Sequence, residues 1–502
     1  MNLMPLYLSQ IPFYVLLAGA AGRKYAHKNG CRPLLHSISP GFLGLGMLKV
    51  MLTAARENRF LECVRSYHRA YGQTFEATIT GRALIFTVEP RNIQTVLADK
   101  FKDFELGDYR KKALLPLLGH GIFASDGETW QRSRALLLPS FVPNQITNVD
   151  LYERHVAKLI EHIPSDGSMV DLQDLFFQMT LDSATEFFFG ESVSSITDAG
   201  STSASSFTDN FKIAQDGLAL RSRIGPLMPF YRDKRFFKAV VEARRYANMF
   251  VTKAINHRAS LDRAEDNQKK PHKLAEKPYV FLYELLKQTS NETELTDQLL
   301  NMLLAGRDTT ASLLSITFFI LAREPDVWNR LRAEVQKLGR RKPSYEELHS
   351  MTYLTWVLNE TLRLYPIVPF NVRMANKDTF LPVGGGPDGK YPVYVAKGQE
   401  VIYSVYTMHR LPEIFGSDAD VYRPERWETL KPGWAYLPFN GGPRICIGQQ
   451  FALTEASYAT VRILQHFNAI ESRDLMPFQE RLTLTMASYN GTKVALTPVD
   501  AT

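Results

Sequence analysis

The stretch FNGGPRICIGQQ, residues 439–450, constrains the fold more than any other part of this sequence. Its glycines and Pro443 indicate a tight turn, since glycine adopts backbone conformations that other residues resist and proline stiffens the chain. A helical pattern follows from Gly448 onward. Cys446 is therefore predicted at or just before a helix N-terminus, where backbone N–H groups and the helix dipole stabilise a thiolate.

The residues alone leave two interpretations of Cys446. A thiolate in an apolar, amide-lined pocket is a ligand for haem iron, and Arg444 is close enough in sequence to reach an acidic group of the same cofactor. A buried structural cysteine beside a Gly-Pro turn is the alternative. The chain has only three cysteines and no CxxC pair, so a zinc site has little support. The spacing F-x-x-G-x-R-x-C-x-G, from Phe439 to Gly448, favours the haem ligand.

The segment 295–325, LTDQLLNMLLAGRDTTASLLSITFFILAREP, is the second strong constraint. It is apolar almost all round, which predicts a helix through the protein interior, with Thr296 as its N-cap and Pro325 stopping it. Charged residues in its middle disfavour insertion into a membrane. Asp308 and Thr309 are costly to bury without partners, which marks them as candidate functional residues. A hydrogen bond from Thr309 back to the helix backbone is the alternative.

Residues 1–22 carry no charge, and Arg23 and Lys24 follow at once. Charges that follow an apolar stretch favour a transmembrane signal anchor over a cleaved signal peptide, with the rest of the chain in the cytosol. An apolar arm that packs on the protein or lies in the membrane interface is the alternative. We therefore predict an anchor at 1–22, a linker at 23–50 and one main domain at 51–502.

Helical patterns dominate the rest of the chain, including residues 51–71. The stretch QTFEATITGRALIFTVEP, residues 73–90, alternates and is β-branched, which predicts a hairpin that turns at Thr80 and Gly81. The predicted fold class is mainly α with a small β region. The net charge of +7 comes from scattered basic residues without a nucleic-acid motif, which argues against a nucleic-acid partner.

Four motifs, in the family's order along the chain, resemble those of cytochrome P450 enzymes. FNGGPRICIG resembles the haem-binding signature, and AGRDTT at 305–310 resembles the motif of the oxygen-activating helix. ETLR supplies Glu360 and Arg363 as in the family's E-x-x-R, and PERW supplies Arg426 as in P-x-R-W. The resemblance covers essentially the whole chain. It implies the cytochrome P450 fold, bound haem b, and a haem-thiolate catalytic domain at 51–502.

The resemblance also implies roles for individual residues. Cys446 is the expected iron ligand, while Asp308 and Thr309 are expected to deliver protons for oxygen activation, with room left by Ala305 and Gly306. The expected haem contacts are Trp130, Arg134, Arg373, Phe439, Arg444, Cys446 and Gly448. The acid and two arginines of the E-x-x-R and P-x-R-W motifs could form a buried cluster that holds the cysteine loop, whereas an exposed helical salt bridge is the alternative.

The chain most resembles fungal P450s that hydroxylate alkanes and fatty acids, notably in LLGHGIFASDGETWQRSRALLLPSF. An apolar slot suits an aliphatic chain, and Arg221 or Arg223 could bind a carboxylate end. The side chains expected to face the substrate are Leu304, Ile367, Val368, Phe370, Leu484 and Met486. Three other functions stay open: a tailoring oxidase of fungal polyketide or terpenoid biosynthesis, a haem-thiolate isomerase or dehydratase, and a non-catalytic haem sensor.

The resemblance implies a separate electron donor, because no flavin or nicotinamide module is visible in the sequence. The expected donor is an NADPH-dependent cytochrome P450 reductase that docks on the cysteine side. The other expected partners are a membrane and a small lipophilic substrate. The expected location is the endoplasmic reticulum membrane, with the catalytic domain in the cytosol.

Overall fold

The computed structural model describes residues 20–142, 147–197, 202–267 and 281–499 of the protein, which are mainly helical with a small β region. The helices are α1 (Ala20–Lys28), α2 (Leu45–Arg56), α3 (Phe60–Tyr71), α4 (Pro90–Gln94), α5 (Asp108–Leu118), α6 (Gly127–Leu137), α7 (Val149–Glu161), α8 (Leu172–Phe189), α9 (Thr202–Ile224), α10 (Lys234–Asn267), α11 (Phe281–Leu286), α12 (Glu292–Leu321), α13 (Pro325–Gln336), α14 (Tyr345–Ser350), α15 (Thr352–Leu364), α16 (Val405–Met408), α17 (Pro412–Phe415) and α18 (Gln449–His466). The strands are β1 (Ser37–Ile38), β2 (Thr74–Ile79), β3 (Arg82–Thr87), β4 (Phe104–Glu105), β5 (Val170–Asp171), β6 (Phe370–Ala375), β7 (Thr379–Gly385), β8 (Tyr391–Val395), β9 (Glu400–Ser404), β10 (Phe467–Ser472), β11 (Glu480–Leu482), β12 (Met486–Ser488) and β13 (Lys493–Pro498).

The chain forms two compact units. The first comprises the chain up to Gly107 together with Pro369–Ala419 and Pro432–Ile445. The second comprises Asp108–Val368, Asp420–Lys431 and the chain from Cys446 onward. The cysteine loop therefore begins in the first unit and ends in the second.

The first unit is built on a six-stranded sheet with the strand order β1-β2-β3-β9-β6-β4. Strands β2 and β3 pair antiparallel, as the alternating sequence predicts, and Thr80 and Gly81 turn between them with φ angles of 51° and 76°. Such left-handed turn residues match the twist of the flanking strands. One face of the sheet packs around Ile85, Val401 and Ala375, all fully buried.

The helical prediction for residues 51–71 is correct in type but misses an interruption. Helix α2 ends at Arg56, and α3 begins at Phe60. Asn58 lies between them with a φ of 53°, a left-handed conformation that asparagine tolerates better than most residues. The segment predicted as a linker, 23–50, includes most of α1 and the start of α2.

The second unit is organised around α12, whose residues are almost all buried, as predicted for a helix through the interior. The predicted N-cap is wrong: the helix starts one turn earlier, where the Asn291 side chain accepts a hydrogen bond of 3.0 Å from the Glu294 N–H. Thr296 instead donates to Asn248 Oδ1 at 2.9 Å. Pro325 occupies the first turn of α13, four residues beyond the end of α12.

The predicted anchor at 1–22 lies outside the described residues except for the first turn of α1. Within the four described ranges, no helix combines the length and the apolar character needed to cross a membrane.

Candidate active site

Close backbone approach explains the glycines of the cysteine loop. Gly442 has a φ of +67°, and a Cβ there would lie 2.0 Å from the Leu97 carbonyl oxygen. A Cβ at Gly441 would lie 2.7 Å from the Trp434 ring. Only glycine satisfies both the left-handed backbone and the contact at 442, so the sequence GG fixes the course of the loop.

Cys446 lies three residues before α18, which begins at Gln449 with Gly448 at the N-cap position. Burial raises the pKa of the Cys446 thiol, although the Gly448 N–H and the nearby Arg134 lower it. The helix terminus therefore acts in the expected direction, but desolvation is the larger effect. The residue is nevertheless solvent-accessible. An exposed cysteine whose thiol is desolvated fits an iron ligand, since metal coordination deprotonates a thiol that would otherwise stay neutral.

Helix α6 places Trp130 and Arg134 four residues apart on one face, with Trp130 buried and Arg134 half-buried. Burial lowers the pKa of Arg134, whereas the nearby Cys446 raises it. The structure therefore brings together Arg134 and Cys446, two of the predicted haem contacts. Asp126 occupies the N-cap position of α6, but its side chain makes no capping hydrogen bond. Its Oδ2 lies 3.4 Å from Lys111 Nζ instead.

The other predicted haem contacts, Arg373, Phe439 and Arg444, belong to the first unit. Arg373 is buried on β6, where its Nη1 donates to the Val372 carbonyl at 2.8 Å. The Arg444 guanidinium lies 6.0 Å from the centre of the Phe101 ring, and Phe439 is half-buried.

One short stretch of α12 is accessible. Every residue from Leu295 to Leu321 is buried except Ala305, Gly306 and Thr309. The Thr309 hydroxyl donates to the Ala305 carbonyl at 2.7 Å, which is the backbone bond named above as its alternative. That bond leaves the hydroxyl oxygen able to accept a further hydrogen bond. Residues 305 and 309 are one turn apart, so both lie on the same, partly exposed face of the helix.

Gly306 serves helix packing. A Cβ there would lie 3.1 Å from the Phe188 ring and 3.6 Å from Ala184 on α8. Its missing side chain therefore lets α8 approach α12 closely, which differs from the expectation that it makes room beside Thr309.

Asp308 is buried and held by two neighbours. Gln215 Nε2 on α9 donates to Asp308 Oδ2 at 2.6 Å, and Arg307 Nη1 lies 3.2 Å from Oδ1. Burial raises the pKa of the Asp308 carboxyl, while Arg307 and Gln215 lower it. Desolvation is the largest effect, so the site favours the protonated acid more than water does.

Glu360, Arg363 and Arg426 form one buried cluster. Both Glu360 oxygens accept from Arg363, at 2.7 and 2.9 Å, and Oε1 also accepts from Arg426 Nε at 2.9 Å. The Arg423 N–H and the Trp427 indole donate to the same carboxylate at 2.9 and 3.1 Å. All three charged side chains are less than 5% exposed. The alternative interpretation, an exposed helical salt bridge, is therefore wrong.

Five of the six residues predicted to face the substrate lie in the second unit. Ile367 and Met486 are joined by a backbone hydrogen bond of 2.9 Å from the Met486 N–H to the Ile367 carbonyl. The buried members are Leu304, Ile367 and Met486, and the half-buried ones are Val368 and Leu484. Phe370, in the first unit, is exposed and lies 5.5 Å from the Phe60 ring centre.

Sequence reasoning missed a polar clamp on the loop before α6. Asp297 accepts from the His120 N–H at 2.9 Å and from Arg244 Nη2 at 2.8 Å. One turn later, Asn301 accepts from the Phe123 N–H at 3.1 Å. A Cβ at Gly119 would lie 2.0 Å from the Asp297 carboxylate, so α12 dictates the path of the loop that leads to Trp130 and Arg134.

Two other buried groups were missed. Glu455 on α18 accepts a hydrogen bond from the Ser183 hydroxyl, and burial raises the pKa of its carboxyl to about 8. Gln215 holds Asp308, as described above. A sequence signal existed for Asp297 and Asn301, because polar residues at i and i+4 of an apolar helix mark a shared face. For Gln215 and Glu455 the sequence shows no such pairing, because their partners lie on other helices.

Comparison with known proteins agrees with these motifs. The family model described as Cytochrome P450 matches residues 40–492. Cytochrome P450 monooxygenase himC of Aspergillus japonicus is 45% identical over 471 residues, 93% of this chain and 84% of that protein. Cytochrome P450 52A13 of Debaryomyces hansenii is 43% identical over 493 residues, 94% of this chain and 93% of that protein. Cytochrome P450 52A5 of Candida maltosa is 47% identical over 446 residues, 84% of this chain and 82% of that protein. This chain belongs to the cytochrome P450 family of haem-thiolate monooxygenases.

Proposed function

We propose that this cytochrome P450 uses O₂ and electrons from a reductase to hydroxylate an apolar aliphatic substrate, such as a fatty acid or an alkane-like chain. The observation that carries the proposal is the exposed residue Cys446, whose thiol lies in a desolvating environment near Arg134 and before the N-terminus of α18. Haem b supplies oxygen activation when it is bound. The protein residues hold the cofactor, supply protons and shape the substrate site.

In this proposal Cys446 binds the iron, and the arginines bind the haem propionates. Arg134 and Arg373 suit this role because guanidinium groups bind carboxylates through paired hydrogen bonds and stay charged when partly buried. Trp130 and Arg444 complete the propionate contacts, while Phe439 and Gly448 border the cysteine loop.

The cluster around Glu360 has a positioning role in this proposal. It ties α15 to the segment 421–427, since Arg363 and Arg426 also donate to the Val421 carbonyl at 3.1 and 3.0 Å. A buried carboxylate with two guanidinium partners is costly to break, because loss of one member leaves an unpaired buried charge. The cluster thereby fixes the chain that leads into the cysteine loop.

Asp308 and Thr309 act as the proton-delivery pair. Burial raises the pKa of the Asp308 carboxyl, which makes it a better proton carrier than an exposed aspartate. Thr309 lies on the accessible strip of α12, where its hydroxyl oxygen accepts from water while its proton is held by the Ala305 carbonyl. This arrangement argues for oxygen chemistry over a haem-thiolate isomerase, which requires no proton supply for oxygen activation.

The contacts of two arginines favour an uncharged aliphatic chain over a substrate with a carboxylate end. Arg221 donates to the Lys112 and Ala113 carbonyls at 3.0 and 3.3 Å, and Arg223 donates to the Leu482 carbonyl. Both arginines are thus engaged with backbone acceptors. This observation favours an alkane-like chain, and equally a neutral polyketide or terpenoid intermediate, so a tailoring oxidase of fungal secondary metabolism is the second candidate.

The proposed partners are NADPH–cytochrome P450 reductase and the endoplasmic reticulum membrane. Membrane attachment is supported by the uncharged stretch 1–22 and by exposed apolar side chains that follow it, of which Phe42 is 80% exposed. Deleting residues 1–22 should move the protein toward the soluble fraction. Tight membrane binding after the deletion would instead implicate the exposed segment with Phe42, Leu43 and Leu45.

The decisive experiment incubates the haem-replete protein with reductase, NADPH, O₂ and a panel of dodecanoic acid, hexadecane and neutral polyketide-like lipids. Products that gain one oxygen are identified by mass spectrometry, with Cys446→Ser as the inactive control. Product formation without reductase and NADPH would show an isomerase. Intact haem without turnover on the whole panel would favour a sensor, and iron held through nitrogen would overturn the proposal.

A further inference from the structure

The contact between α9 and α12 at Asp308 involves a glutamine. Gln215 is 5% exposed, and its amide faces two polar groups of α12 at once. Its Nε2 donates to Asp308 Oδ2 at 2.6 Å, and its Oε1 accepts from Arg307 Nη1 at 3.3 Å. A buried amide that uses both ends in this way holds its partners in one orientation.

Arg307 closes a three-residue ring. Its Nη1 lies 3.2 Å from Asp308 Oδ1, so the carboxyl is flanked by the amide on one oxygen and the guanidinium on the other. The guanidinium is itself confined, because its carbon lies 5.4 Å from the centre of the Phe177 ring on α8. Rotation of the Asp308 side chain therefore requires the Gln215 contact to break.

Helix α9 is also tied to segments beside the predicted substrate lining. Arg221, almost two turns after Gln215, donates to two carbonyls of α5. Arg223 donates to the carbonyl of Leu482 in β11, which pairs with β12 and its Met486. A displacement of α9 by a bound substrate would thus reach Asp308 through the Gln215 side chain, both directly and by way of Arg307.

We propose that Gln215 is a positioning residue for proton delivery: it holds the Asp308 carboxyl in its working orientation and transmits the position of α9 to it. The inference rests on the role proposed above for Asp308. The carboxyl takes one proton from solvent water and gives one up on the Thr309 side, so its own protonation state is restored in each cycle. Loss of the Gln215 amide leaves the Asp308 carboxyl present but no longer holds it in one orientation.

The charged groups that act on Asp308 set the direction of the expected pH effect. Arg307 on α12 and Arg481 on β11 lower the pKa of the Asp308 carboxyl, and Asp216 on α9 raises it. The Gln215 hydrogen bond also lowers this pKa. Removal of the amide donor should therefore raise the pKa of Asp308, and a carboxylate in its place should raise it further through like-charge repulsion.

The test compares Gln215→Met, which keeps the side-chain length without the donor, with Gln215→Glu. Ser222→Ala is the matched control, because it removes a hydrogen bond within α9 to the Leu218 carbonyl. The infrared carbonyl band that Asp308→Asn removes reports protonation of Asp308 directly. We expect its titration midpoint to rise in the Met variant, to rise more in the Glu variant, and to stay unchanged in Ser222→Ala.

Coupling of NADPH oxidation to product, measured with the best-oxidised member of the lipid panel, is the second readout. It should fall on the order of 10-fold in Gln215→Met, with no further loss when Asp308→Asn is added. Wild-type midpoints in both variants, with coupling unchanged, would overturn the inference. Full coupling in Asp308→Asn would instead refute the proton-delivery role itself. A purely structural role would lower the yield of folded protein without moving the titration.

Discussion

The buried carboxyl of Glu455 allows a sharp prediction about stability. The residue is 1% exposed on α18, and the Ser183 hydroxyl of α8 donates to its Oε1. Among the described residues no hydrogen bond is formed to its Oε2, and the neighbouring Thr310 hydroxyl lowers the pKa of the carboxyl less than burial raises it. Desolvation accordingly raises the pKa of Glu455 from 4.5 to about 8. We predict that Glu455→Gln stabilises the protein, because the amide has nearly the same shape and carries no titratable proton.

The magnitude follows from proton linkage. The folded state retains a proton that the unfolded chain releases above pH 4.5, so the stability contributed by protonated Glu455 is complete below that pH and declines as pH rises. Between pH 4.5 and pH 7 the loss amounts to about 3 kcal/mol, at about 1.4 kcal/mol for each pH unit. It levels off above pH 8 at about 5 kcal/mol, where the folded carboxyl also ionises.

Urea unfolding of the haem-loaded protein from pH 5 to pH 8, followed by tryptophan fluorescence, measures the effect. The stability gain of Glu455→Gln over the wild type should be below about 1 kcal/mol at pH 5 and grow toward pH 8. Glu153→Gln is the matched control. Burial raises the pKa of Glu153, but hydrogen bonds from Tyr458 and Arg462 and the charges of Arg462 and Lys342 lower it overall. This variant should therefore lose stability at neutral pH. A gain in Glu455→Gln that does not vary with pH would refute the reasoning.

Four further outcomes follow from the site. Cys446→Ser should abolish the thiolate signature in the spectrum of the reduced carbon monoxide complex, and its survival would exclude Cys446 as the ligand. Thr309→Ala should raise hydrogen peroxide release per NADPH on the order of 10-fold, because proton delivery loses a hydrogen-bond acceptor. Glu360→Gln should lower the free energy of unfolding by about 3–5 kcal/mol in urea titrations, since it removes the charge opposite two buried guanidinium groups. Gly442→Ala should reduce haem incorporation, measured by Soret absorbance per protein, whereas Gly433→Ala, with a φ of +55° but open space around it, should not.

The sequence predicts local features well when one segment carries the whole signal. The β2–β3 hairpin, with its Thr80–Gly81 turn, is such a case, and so is the placement of Cys446 before α18. The start of α12 is harder to place, because Asn291 and Thr296 are both good capping residues, five positions apart. The choice between them depends on tertiary contacts, since Thr296 finds its partner in Asn248 of α10.

Tertiary contacts also explain why the sequence does not predict the protonation state of buried carboxyl groups. Asp308 and Glu455 are each recognisable as acids in apolar helices, but their protonation depends on how many partners reach them. Gln215 and Arg307 both reach Asp308, whereas among the described residues the Ser183 hydroxyl alone donates a hydrogen bond to Glu455. The spacing along the chain does not predict the contacts of Gln215 and Ser183, because these residues come from α9 and α8.

Helix α12 shows how a buried helix can be rigid and still reactive. Its polar side chains point to different neighbours: Asp297 and Asn301 hold the loop before α6, and Asp308 binds Gln215 of α9. Each of these contacts satisfies a group that would be costly to bury alone, so together they fix the rotation of the helix about its axis. The partly exposed turn at Ala305 and Thr309 is therefore held in place by contacts outside it. A change at Asp297 should consequently disturb coupling at Thr309 without touching it, and would do so through the orientation of the helix.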